Sequence, residues 1–100
     1  MNATTPRAVG MLLLTVMIPM PAGPAAAYIG QELAGDAKIT IDQARAIAMK
    51  ADPGRITDKE LEREDGGSGL RYTFSVDTGS GAQELGVDAA TGQVPENSPD

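Results

Sequence analysis

From residue 39 onward the chain changes hydrophobic period twice. Ile41, Ala44, Ile47, Ala48 and Ala51 recur at steps of three and four, the spacing of one apolar stripe on an amphipathic helix. Asp42, Arg45, Met49 and Asp52 fall on the opposite side of that helix. Thr40 and Gln43, three apart, form a capping-box pair in which each side chain satisfies a backbone N–H of the first turn. Asp42 near the start and Lys50 near the end complement the helix dipole. Pro53 forces Asp52 out of the helical region and Gly54 supports the stop, so a helix is expected over Ile41 to Ala51.

Beyond the helix the period shortens to two. Leu70, Tyr72, Phe74 and Val76 face one way and Arg71, Thr73 and Ser75 the other, which is the pattern of a half-buried antiparallel strand. Ala82 to Asp88 repeats it, with Leu85 and Val87 opposed to Glu84, Gly86 and Asp88. The segment Arg55 to Asp65 is less regular. Ile56 and Leu61 are its large apolar residues, and their odd separation puts them on opposite faces of a regular strand. A bulge, or a strand starting only near Thr57, reconciles them; the charged composition also suits a helix, and the strand is the reading adopted. Gly66 to Gly69, Thr78 to Gly81 and Ala90 to Gln93 are turns, and Gly92 is expected at positive φ. Val94 can add a short edge pairing. The predicted fold is α+β: one N-terminal helix packed on a small antiparallel meander of three to four strands.

The flanks read differently. Met1 to Arg7 is polar with one cation, Ala8 to Ile18 is apolar, and Pro19, Pro21 and Pro24 precede Ala25-Ala26-Ala27. This is the layout of a secretory signal peptide cut after Ala27, and the apolar run is too short to span a bilayer. The expected organisation is a signal peptide over 1–27, a flexible leader over 28–38, a folded domain over 39–94 and a disordered tail over 95–100. The expected location is periplasmic or secreted, without a membrane span after cleavage.

In that order and spacing, the elements resemble the PepSY domain of thermolysin-type peptidase propeptides and small exported bacterial proteins. The carrying residues are Ile39 to Ala44 with Ile47-Ala48, Asp52-Pro53-Gly54, Glu60-Leu61-Glu62, Gly69 to Phe74 and Val87 to Val94. The resemblance implies one helix on a small antiparallel sheet and an association with holding peptidases inactive or assisting their folding. It implies no catalytic residues.

Composition narrows the chemistry. The 100 residues hold no Cys and no His, which excludes disulfides, thiolate sites, Ser-His and Cys-His catalysis and His-based metal binding. Fourteen acidic against eight basic residues give a net charge of −6, unsuited to nucleic acid or an anionic membrane. Val76-Asp77-Thr78-Gly79-Ser80 looks like an aspartic-peptidase loop, but too little chain follows it to build a flap and barrel, and a strand-ending turn explains it. Glu60, Glu62, Glu64 and Asp65 lack the spacing of a calcium loop and read as a solvated face. The glycine-rich turns lack the Lys and following helix of a phosphate cradle.

No catalytic, cofactor-binding or metal-binding residue is therefore expected. The chain reads as a binding module that inhibits or modulates a peptidase, such as a metallopeptidase, or contacts another envelope protein. The alternative is an envelope sensor or accessory protein that binds a small ligand, a cation or a protein. Contact is expected through Arg71, Thr73 and Ser75 on the polar sheet face, through an exposed strand edge able to pair with an extended chain, or through Glu96 and Asp100 in the tail.

Overall fold

Thr40 starts the helix as its spacing requires. Its hydroxyl accepts from the Gln43 N–H at 3.1 Å, and its own N–H donates to the Gln43 side-chain oxygen at 2.8 Å. Helix α1 spans Ile41–Ala51 and ends at Asp52, held extended before Pro53. The structure, a computed structural model, describes residues 27–100; the expected signal peptide lies outside them except for Ala27. Among the described residues no helix is long and apolar enough to cross a membrane.

Four strands follow: β1 Arg55–Arg63, β2 Leu70–Asp77, β3 Ala82–Asp88 and β4 Glu96–Pro99. They form one antiparallel sheet in sequence order. The register explains the irregular strand. Ile56 pairs with Val76 but Asp58 pairs with Ser75, so Thr57 is an extra residue. That bulge restores Ile56 to the face that holds Leu61.

One sheet face and α1 enclose the core. Phe74, Val76, Leu85, Val87, Ala44 and Ala48 are fully buried, with Leu61, Tyr72 and Leu70 beside them. The two helical alanines carry small side chains, which lets α1 lie close over β2 and β3. Ile41 and Ile47 border this core. Two helix positions depart from the expected stripe. Ala51, in the last turn before the chain leaves at Pro53, is exposed, whereas Met49 is half-buried with its long flexible side chain against the core. Tyr72 adds a polar tie, its hydroxyl donating to the Ile39 carbonyl at 2.8 Å.

Both flanks are corrected by the structure. The expected flexible leader has fixed partners: Ile29 bridges to Glu60 in parallel, Gln31–Asp36 forms a 3-10 helix, and Asp36 pairs with Arg63 at 2.8 Å. The expected disordered tail forms β4, and Val94, expected to pair, stays at the surface. Order at each end comes from partners far along the chain. Asp100 donates to the Ala82 carbonyl at 3.0 Å, and Gln83 donates to the Asn97 side chain at 2.7 Å. Gly92 takes φ of 77° and bonds back to Asp88, closing the turn that returns the chain to β4.

Candidate interaction face

Among the described residues no helix lies over the second sheet face, and the strand register sets its residues in rows. Glu62 lies beside Arg71 and Asp88; Glu60 beside Thr73, Gly86 and Glu96; Asp58 beside Ser75, Glu84 and Ser98. Small residues, Thr73, Ser75 and Gly86, occupy the middle. Carboxylates flank them on both sides.

Arg71 is the cation within those rows. Its side chain is 17% exposed and reaches Glu96 at 3.6 Å. To do so it lies across Gly86, where an added Cβ would stand 2.7 Å from the Arg71 Cδ and 3.3 Å from the Glu96 Cβ. Gly86 is thus the gap through which β2 and β4 join over β3. Thr73 is buried, and its hydroxyl donates to the Glu62 carboxylate at 3.0 Å.

The remaining carboxylates repel one another. Burial raises the Glu60 carboxyl above the ordinary carboxylate range, and Glu62, Asp58 and Glu64 add to the rise. Burial likewise raises Glu84, with contributions from Glu96, Asp100, Glu62 and Glu60. In both cases desolvation and like charge disfavour the ionised form.

Asp88 shares this side of the sheet by parity but has another task. It is 5% exposed. Its Oδ2 accepts from the Ser68 N–H at 2.8 Å, and its Oδ1 accepts from the N–H groups of Ala90 and Thr91 at 2.8 and 3.0 Å. Burial alone would raise this carboxyl. The bonds from Ser68, Ala90 and Thr91 outweigh it and hold Asp88 far below the ordinary aspartate range. One carboxylate therefore pins the β1–β2 turn to the β3–β4 turn.

The Asp-Thr-Gly segment is a turn. Asp77 Oδ1 accepts from Gly79 at 3.0 Å, its Oδ2 lies 3.4 Å from Arg55, and Thr78 donates to the Gly81 carbonyl at 3.0 Å. Among the described residues no cluster of three or more carboxylates is arranged to hold a metal ion.

The structure brings Arg71, Thr73, Ser75 and Glu96 onto one face, with Asp100 at its margin after β4. By sequence Glu96 and Asp100 fall in a separate tail, and Glu84 and Gly86 carry no expected role. The signal for Glu84 and Gly86 was present in the alternation of Ala82 to Asp88, which sets both against the apolar Leu85 and Val87.

Residues 38–94 match the family model described as peptidase propeptide and YPEB domain. The chain belongs to the PepSY family. The match covers α1 through β3 and stops just before β4, so the strand carrying Glu96 lies outside it. Searches of curated proteins and of solved structures give no match. PepSY membership supports a peptidase-related interaction module, and the uncovered sheet face is where such a module has polar surface to offer.

Proposed function

We propose that this PepSY protein is an exported module that binds a peptidase of the cell envelope and restrains it, acting by contact and not by catalysis. The observation that carries the reading is the two-layer fold with one sheet face left open and polar. α1 covers the apolar face over β2 and β3 and the 3-10 segment covers it over β1, so a partner meets Ser75, Glu96, the exposed part of Arg71 and the surrounding carboxylates, with Thr73 buried among them. Arg71 is held in place by Glu96 and by the packing over Gly86, which lowers the entropy lost when a partner engages it. The face is charged, so binding weakens as salt rises.

The target class suggested by the family is a thermolysin-type metallopeptidase exported with this protein. The test is inhibition of such an enzyme by the purified protein, by Arg71→Glu and by Arg71→Glu with Glu96→Arg. Inhibition is expected for the native protein and is expected to fall about tenfold or more on reversing the Arg71 charge. Equal inhibition by all three would remove the face from the contact. No inhibition by the native protein would favour the sensor or accessory role.

A further inference from the structure

The outer edge of β1 is occupied by the protein's own N-terminal segment. Leu61 donates to the Ile29 carbonyl at 2.8 Å, and Ile29 pairs with Glu60 in parallel. Alternation along β1 directs the backbone groups of Lys59, Leu61 and Arg63 away from β2. Lys59 is closed off by its neighbour, because its N–H donates to Asp58 Oδ1 at 2.9 Å. Leu61 is closed off by the strap, and Arg63 lies beyond the point where the strap turns away.

That turn is made by Gly30. Its φ is 85°, and a Cβ there would stand 1.7 Å from the Leu61 carbonyl oxygen, so the segment leaves the edge after one bridge and enters the 3-10 helix. The strap is lightly held. No residue of Gln31–Asp36 is buried, Ile29 is 67% exposed, and the Asp36–Arg63 pair is open to water. Tyr28 and Leu33 make its apolar contacts with the core. The other edge of the sheet offers less. Asp100 bonds inward to Ala82, so Asn97 and Pro99 face outward, and Pro99 has no N–H.

We propose that the β1 edge around Leu61 is an acceptor site for an extended segment of a protein partner, which enters parallel to β1 by displacing the strap. The seated Ile29 shows the geometry in place. A partner bearing an aromatic or apolar residue where Tyr28 lies, and staying extended where Gly30 turns, gains the Arg63 groups that the strap forgoes. This edge is separate from the open face, so the proposal does not depend on the peptidase reading.

The experiment uses Gly30→Val, whose side chain collides with the Leu61 carbonyl. Hydrogen exchange of the Leu61 amide should quicken about tenfold or more, while the Phe74 and Leu85 amides keep their protection. The peptide Tyr-Ile-Thr-Val-Thr, at about 1 mM to match a tethered segment, should then bind and restore protection at Leu61. If Gly30→Val does not fold, Asp36→Lys is used, which breaks the Arg63 pair on the surface and should act in the same direction more weakly. Unchanged exchange at Leu61 in the folded variant overturns the proposal. So does a released edge that ignores the peptide. A stable dimer that excludes it would assign the edge to a second copy and overturn the partner assignment.

Discussion

The two faces of the sheet are built on opposite terms. On the apolar face, Leu61, Tyr72, Phe74, Val76, Leu85 and Val87 are nearly or fully buried beneath α1 and the 3-10 segment. Away from α1, Asp58, Glu60, Glu62, Glu84 and Glu96 surround one arginine, and two of these carboxyls are held above their ordinary range by burial and mutual repulsion. The first face holds the fold together and the second works slightly against it. Asp88 shows that strand parity alone does not decide the matter. It belongs to the open face by alternation yet is buried as a clamp on two turns. A position on a sheet thus takes its role from what the neighbouring turns do as well as from the face it points to.

The sharpest break in this comparison is Phe74→Ala. Phe74 is fully buried in the middle of the central layer, and removing such a ring costs about 3–5 kcal/mol. A core of this size supplies a similar total, so the variant should be largely unfolded at room temperature. Circular dichroism melts check it. A variant melting like the native protein would mean that the core does not rest on this face.

The next effect compares two aspartates that each end a strand and lead into a glycine turn. Asp88→Asn loses a charge that accepts three backbone N–H groups and turns an amide donor toward one of them. The expected cost is about 1–3 kcal/mol. Asp77→Asn alters one exposed turn bond and one exposed ion pair and should stay within about 0.5 kcal/mol. Asp88 also carries a pH dependence. The folded pKa of Asp88 lies below its unfolded value, so its stabilisation is complete above the ordinary aspartate value near 3.9 and drains away as pH falls below it. Urea melts at pH 7 and pH 3 on the native protein and both variants measure this. The gap between native and Asp88→Asn should narrow at the lower pH.

How much of this was readable beforehand follows the distance over which each feature is decided. The Thr40–Gln43 cap and the alternation Leu70 to Val76 are settled within a few residues, and each stands where the spacing placed it; for Ile56 and Leu61 the spacing left a bulge or a later strand start open, and pairing with β2 selects the bulge. Strand β4 and the strap are settled by partners elsewhere: Glu96 by Arg71, Asn97 by Gln83, Ile29 by Leu61. Neither segment has a period of its own, so both read as loose ends. The open face lies between these cases. Its β2 members were legible from alternation, but that Glu60, Thr73, Gly86 and Glu96 form one row depends on register, and the clamp at Asp88 depends on two turns meeting.

The smallest effect probes the open face itself and has the opposite sign from the others. Glu60 and Glu84 have folded pKa values raised above their unfolded ones, so their ionised forms are less favourable in the fold than in the open chain. The penalty is therefore present above the raised values and disappears as pH falls below the ordinary glutamate value near 4.3. Replacing both by Gln keeps shape and hydrogen-bonding reach while removing the charge. At pH 7 the double variant should be more stable than the native protein, by less than about 1 kcal/mol because both side chains remain in contact with water. The gain should shrink in high salt and vanish near pH 4, where the native carboxyls take up protons. Melting curves over pH 4 to 8 at two salt concentrations give the answer. A double variant less stable than the native protein at pH 7 would show that these carboxylates support the fold. The repulsion would then be offset within the sheet, and the contrast between its faces would reduce to burial alone.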